Sequence, residues 1–333
     1  MSSNDSGAGK VTRRQFLYRT GLTAAGAGLL AKAWPSWAGE IRTQTLPKRM
    51  LGRTGEEVTI LGLGTAPAGE GPPELDEVKR VFSVAMDRGV NYIDTARIYG
   101  NAEEALGQLI PGRRDGLFLA TKCWSETAES AEESLEESLR LLNTDYVDLC
   151  HIHHIGGKDV DKVLADDGVL NYLVKQKEAG KIRFIGLSGH ARSSRFMRLL
   201  ETDEIDVVMT VLNHADRNIY EFEDVVLPEC RERNVGVAAM KVFAGIKGGF
   251  PNHRNAAVGC ATAPEHLSKA LAYALDLPGV ASAIVGPYTV EESISNVEMA
   301  LAYESLSDSD REEILAYGRE LAEEIGPRYG DVT

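Results

Sequence analysis

Cysteine is scarce in this 333-residue chain: there are four, at positions 123, 150, 230 and 260, and no two form a Cys-x-x-Cys pair. That spacing disfavours a thiolate-built iron–sulfur cluster or structural zinc site, and buried free thiols are the simpler reading. Long apolar runs are missing too. The most lipid-like stretch, GLTAAGAGLLA (21–31), falls well short of the roughly 20 residues a membrane-spanning helix needs, so no permanent membrane anchor is expected. Positive charge is the minority sign, with 36 Lys and Arg against 50 Asp and Glu and a net charge of -14. Such a surface repels polyanions, which argues against nucleic acid as a partner. No Gly-x-Gly-x-x-Gly opens a helix after the first apolar run; GLGTAPAG (62–69) carries glycines without that spacing. An open doubly wound dinucleotide fold is disfavoured accordingly.

Two segments differ in character. The first 39 residues hold paired Arg13 and Arg14 in VTRRQFL, the short apolar stretch and then Lys32. This pattern resembles a twin-arginine export signal, and small residues at Ala31 and Ala33, or at Ser36 and Ala38, satisfy the cleavage rule. A mature chain beginning near Glu40 is expected, exported to the periplasm or another extracytoplasmic space by the twin-arginine translocation machinery. From residue 40 to 333 a single domain is expected. Strand-like runs at 58–65, 90–96, 117–122, 146–153, 182–189, 207–213, 235–243 and 281–286 alternate with helical patterns at 74–88, 101–110, 126–142, 159–179, 193–201, 220–233, 264–275 and 290–302. Eight such pairs in about 250 residues match a closed (β/α)8 TIM barrel. The segment 305–326 reads as an appended C-terminal helix on its outside.

The polar residues that end these strands carry the chemistry. Asp94 and Tyr99 lie in DTARIYG, Lys122 ends LFLATK, and His153 ends YVDLCHIH. Singly, each has a bland reading as a helix cap, a rim charge or a loop aromatic. Together they supply the parts of a proton-donor site at one rim of a barrel. Reducing a carbonyl leaves an alkoxide that needs a proton. A tyrosine phenol can give it, a neighbouring ammonium favours its ionised form, a carboxylate holds that ammonium, and an imidazole orients the substrate oxygen. His151 and His153 share a strand face and invite a metal reading, but no further ligand follows at suitable spacing and no metal is expected. His190 and His214 end neighbouring strand regions and are placed at the barrel mouth.

LGRTGEEVTILGLGT (51–65), NYIDTARIYGNAEEALG (91–107), Lys122, DYVDLCHIHH (145–154), GKIRFIGLSGH (180–190) and IVGPYTVEESISN (284–296) occur in an order that resembles the aldo-keto reductase family over nearly the whole mature length. The resemblance implies Asp94, Tyr99, Lys122 and His153 as the catalytic set, with Tyr99 as the acid. It implies NAD or NADP across the strand C-termini and a small carbonyl or alcohol substrate. On the cofactor side it implies Ser188 and Asn213 at the carboxamide, Met240 against the nicotinamide ring, Lys241 with the Ala244 and Gly245 backbone at the pyrophosphate, Gly286 at a phosphate turn and Asn296 at the adenine. Many NADP-preferring members place Arg four residues before that Asn; here Glu292 stands there, and its charge is expected to disfavour a 2′-phosphate. The competing functions are a non-catalytic nicotinamide-binding or sensing barrel and a metal-dependent barrel enzyme, since fold alone does not fix function.

Overall fold

The apolar run 58–65 bends at residue 60 and makes two strands instead of one. In the computed structural model, which describes residues 45–71 and 73–332, β1 (Lys48–Met50) pairs antiparallel with β2 (Glu57–Thr59), placing Lys48 opposite Thr59. The export-signal reading lies outside the described residues. The hairpin turn presses on the start of a later strand: a Cβ at Gly52 would lie 2.2 Å from the Gly236 nitrogen, so only glycine fits. This packing, with Leu51 fully buried, stops the N-terminal end of the barrel.

The remaining runs close on themselves. In chain order they are β3 (Leu61–Gly64), β4 (Tyr92–Asp94), β5 (Phe118–Cys123), β6 (Val147–Ile152), β7 (Ile182–Gly189), β8 (Val207–Val211), β9 (Gly236–Met240) and β10 (Val280–Val285). Each pairs parallel with its successor, and β10 pairs with both β9 and β3, so the sheet is a closed (β/α)8 barrel as expected. Seven of the eight barrel strands are buried along their whole length, β7 being the exception, and helices cover the outside of the sheet, which is why they read as unbroken apolar runs. Parallel pairing aligns all the strand C-termini at one rim, and that rim receives Asp94, Lys122 and His153.

Two helical patterns are interrupted. The stretch 159–179 forms Val160–Leu164 and Val169–Glu178, because Ala165 turns extended and Gly168 packs so tightly that a Cβ would sit 2.4 Å from the Val163 carbonyl. The stretch 220–233 opens with a π-helical turn, Phe222–Val226, before the α-helix Leu227–Glu232; Pro228 lacks the N–H that α-helical pairing would use. The appended helix is Asp308–Ile325, capped by the Ser307 hydroxyl, which accepts from the Asp310 N–H. Its face of Ile314, Gly318, Leu321 and Ala322 is buried. Among the described residues no helix is long and apolar enough to cross a membrane.

Candidate active site

Lys122 sits on β5 with its ammonium wholly buried. Nζ donates to Asp94 Oδ2 at 2.6 Å and to the Thr95 carbonyl at 2.8 Å, and it lies 4.6 Å from the centre of the Tyr99 ring. Tyr99 reaches this position from the turn after β4. There Gly69 and Gly100 let two loops touch: a Cβ at Gly100 would lie 2.2 Å from the Gly69 carbonyl oxygen. The Asn101 N–H donates to that same oxygen at 3.2 Å. His153 follows β6, its N–H donating to the Cys123 carbonyl at 3.0 Å, and its ring meets the Tyr99 ring edge-on at 5.7 Å. The structure therefore brings Asp94, Tyr99, Lys122 and His153 into one cluster.

Burial opposes charge throughout this cluster, and the partners decide the outcome. For Lys122, burial acts to discharge the amine, yet Asp94 and Tyr99 outweigh it and hold its pKa above the ordinary lysine value. For Asp94, burial raises the carboxyl, with Lys122 pulling it back; the 2.6 Å contact and the elevated Lys122 together describe an ion pair. Tyr99 departs from the sequence expectation. Burial raises its phenol above the usual 10, exceeding the lowering effect of Lys122, so the resting residue is a neutral phenol that still holds its proton. Burial likewise drives His153 well below 6.5, leaving a neutral imidazole suited to hydrogen bonding.

The residues expected at the cofactor lie around the same rim. Ser188 ends β7 and its Oγ accepts from the His154 N–H at 3.4 Å, leaving its own proton to donate. Met240 ends β9, and beyond it the backbone takes positive φ at Lys241, Ala244 and Gly245, a tight turn closed by the Ala244 N–H donating to the Lys241 carbonyl at 2.8 Å. Gly286 lies against Pro67 so closely that a Cβ would fall 2.5 Å from its ring. Asn213 is different. Its Nδ2 donates to Asp216 Oδ2 (2.7 Å) and the Lys241 carbonyl (2.9 Å), while Oδ1 accepts from the Ala215 and Asp216 N–H groups (3.0 and 2.8 Å). All four of its hydrogen-bonding positions have partners inside the protein, and these bonds brace the turn that carries Lys241. Glu292 also has an internal partner: its Oε2 accepts from the Tyr288 N–H at 2.7 Å, just before Thr289, whose hydroxyl caps the helix Val290–Leu301. Asn296 lies half-buried on that helix. The ring and pyrophosphate side thus fits a nicotinamide dinucleotide, and the adenosine side carries a carboxylate at the helix N-terminus.

His151 lies below the rim on β6, opposite Lys122 in register, with Nδ1 3.1 Å from the Leu187 carbonyl. Burial lowers its pKa to about 3, so it is a neutral, carbonyl-bonded imidazole. Among the described residues no cluster of three His, Cys, Asp or Glu is arranged to hold a metal ion. Cys123 and Cys150 are free, their sulfurs 3.5 Å apart. His190 is at the mouth, 4.9 Å from the Tyr329 ring. His214 is not: it is fully buried beneath the appended helix, stacked on Tyr317 at 5.6 Å, because its own carbonyl is the group that Gly318 packs against.

Several rim residues were not singled out from the sequence. Trp124, half exposed, touches His153 edge-on at 5.0 Å and stacks on His154 at 5.3 Å. It stands two residues after Lys122, so strand alternation puts it on the same face. The chain beyond Gly326 folds back onto the mouth, where Arg328 clasps Asp216 through two 2.8 Å bonds and donates to the Ala244 carbonyl at 2.9 Å. Nothing in a tail of mixed composition signals such a return.

Comparison with known proteins agrees with this geometry. The family model described as the Aldo/keto reductase family matches residues 60–268. The L-galactose dehydrogenase of Arabidopsis thaliana is 28% identical over 288 residues, covering 78% of this chain and 89% of that protein. The Escherichia coli methylglyoxal reductase YeaE is 28% identical over 206 residues, covering 60% of this chain and 69% of that protein. Among solved structures, a Pseudomonas aeruginosa chain assigned to the aldo-keto reductases superimposes with a TM-score of 0.63 at 28% identity, covering 78% of this chain and 97% of that one. A Klebsiella pneumoniae aldo/keto reductase in complex with NADP and acetate gives 0.65 at 24% identity, covering 83% and 96%, a likeness of fold.

Proposed function

This chain belongs to the aldo/keto reductase family, and from that premise we propose that it interconverts an aldehyde, ketone or sugar carbonyl and its alcohol, with Tyr99 as the general acid. It is an NAD(P)H-dependent oxidoreductase. The observation that carries the finer reading is the protonated Tyr99 beside the charged Lys122, itself held by Asp94 and the Thr95 carbonyl, with neutral His153 across the same space. Bound nicotinamide supplies the hydride. As negative charge grows on the carbonyl oxygen, Tyr99 releases its proton to it, and the positive charge of Lys122 stabilises the phenolate left behind. Asp94 fixes that ammonium, and His153 donates a hydrogen bond that aims the substrate oxygen at Tyr99. Ser188, Met240 and the Lys241–Gly245 backbone are the groups that would hold the cofactor.

The functional test is oxidation of NADH and NADPH against a panel of aldehydes, ketones and sugars. Glu292→Gln keeps a side chain able to accept from the Tyr288 N–H while removing the charge. It is expected to improve NADPH relative to NADH about fivefold, the scale of one partly exposed charge. Strong NADPH preference in the unaltered enzyme would refute the repulsion.

We further propose that residues 1–39 are a twin-arginine signal and that the folded enzyme works outside the cytoplasm, on the support of Arg13, Arg14 and the short apolar stretch. Replacing both arginines with lysine is expected to leave the protein in the cytoplasmic fraction. Equal extracytoplasmic recovery of the double variant would refute this.

A further inference from the structure

A concave site lined by Lys158 is linked to the proposed active site through the Trp124 indole, which touches both Lys158 and His153. It has a volume of about 630 Å³ and lies between the loops after β5 and β6 and the helix Ser193–Leu200. Its charges do not cancel. Arg198 is paired with Asp161 at 2.7 Å, and Lys162 lies 3.9 Å from both Glu126 and Asp159. Four cations and three carboxylates line the cavity, an excess of one, and two of the cations have no carboxylate partner. Arg195 is held by the Gly156 and Lys158 carbonyls instead of a carboxylate. Lys158 is only 7% exposed, and among the described residues no carboxylate comes within ion-pairing distance of it. Partial burial lowers its pKa, with the Glu126 charge opposing that effect. The Lys158 ammonium rests 4.5 Å from the centre of the Trp124 ring, which also contacts His153 and His154. The helix Ser193–Leu200 adds an N-terminus with no side-chain cap, and Ser194 of its first turn lines the cavity.

We infer that this cavity takes the anionic group of the substrate, so that the enzyme acts on carbonyl compounds bearing a carboxylate or phosphate. The carbonyl lies at Tyr99 and His153, and the anion lies past the Trp124 indole against Lys158, Arg195 and the helix N-terminus. An acidic protein with a local excess of cations beside its active site draws a small anion to that place and repels it elsewhere. The inference rests on the reductase reading above and names the substrate class for it.

The test compares matched pairs on the full enzyme: benzaldehyde with 4-carboxybenzaldehyde, and glyceraldehyde with glyceraldehyde 3-phosphate. The anionic member of at least one pair is expected to show the lower KM, and the responding pair identifies carboxylate or phosphate as the natural group. Lys158→Met keeps the stem on Trp124 and removes the charge. It is expected to raise the KM of the anionic substrate about tenfold, with kcat and the neutral partner's KM within about twofold, as loss of one charge-assisted contact requires. Lys158→Arg should restore most of the difference. Inorganic phosphate should compete with the anionic substrate and not with the neutral one. Equal KM values within both pairs, or a Lys158→Met effect that falls equally on neutral and anionic members, would overturn the inference while leaving the reductase reading intact. Failure of every member to oxidise NADH or NADPH would overturn both.

Discussion

Tyr99→Phe is expected to lower the rate of carbonyl reduction by about 10²- to 10⁴-fold, the usual contribution of a positioned proton donor. The change removes one oxygen, and the ring contacts to His153 and Lys122 need no hydroxyl, so the fold and the nicotinamide Kd should be unaffected. Stopped-flow hydride transfer and fluorescence titration of NADPH separate the two quantities. The pH dependence fixes the assignment further. Reduction needs the neutral phenol, and burial has raised the Tyr99 pKa, so the active form is present below that value and is lost as pH rises through it. The rate should stay level from about pH 6 to about pH 9 and fall only above about pH 10. His153, held neutral by burial, adds no inflection near 6.5. The alkaline limb should vanish in Tyr99→Phe. A variant that kept full turnover, or an inflection near pH 6.5 in the parent, would assign the proton to another group.

The strand-end residues were legible because parallel pairing converts position in sequence into position on a rim: a polar residue at the end of an apolar run has few other places to go. The same logic located Trp124's face but gave it no role, since that depends on His154 and Lys158 arriving from the next loop. Loop return is where sequence reading failed. Sequence does not show that Asp216 and the Lys241 carbonyl occupy both donors of Asn213, or that Glu292 accepts from the Tyr288 N–H. The 48–59 hairpin was missed because its second strand is continuous in sequence with β3, and apolar periodicity does not register a bend at Ile60. The net shift of Tyr99 was also out of reach. A nearby lysine can be read from sequence, but the opposing effect is burial, which only the packed structure supplies.

The return of the C-terminal segment makes Asp216 the residue whose loss should cost most stability outside the barrel core. Its side chain is completely buried, and it accepts two bonds from Arg328 and a third from Asn213. Asp216→Ala strands a guanidinium that is itself about nine-tenths buried, and breaking a buried pair from one side costs about 3–5 kcal/mol. For a domain of this size that is a fall in Tm of roughly 10 °C. Asp216→Asn keeps the shape and one acceptor and should lie between the two. The expected loss is not confined to stability. Asn213 would lose the partner that orients its bond to the Lys241 carbonyl, and Arg328 would lose the anchor from which it holds the Ala244 carbonyl. Both bonds brace the positive-φ turn proposed to meet the pyrophosphate. Nicotinamide Kd should therefore rise in Asp216→Ala at temperatures where the variant is still folded, with kcat at saturating cofactor little changed, because Asp94, Tyr99, Lys122 and His153 lie on or just after β4, β5 and β6. Thermal unfolding followed by circular dichroism, together with cofactor titration well below the lowered Tm, reads the two effects separately. A lowered Tm with unchanged cofactor affinity would leave the network as a staple for the tail and remove it from the binding site.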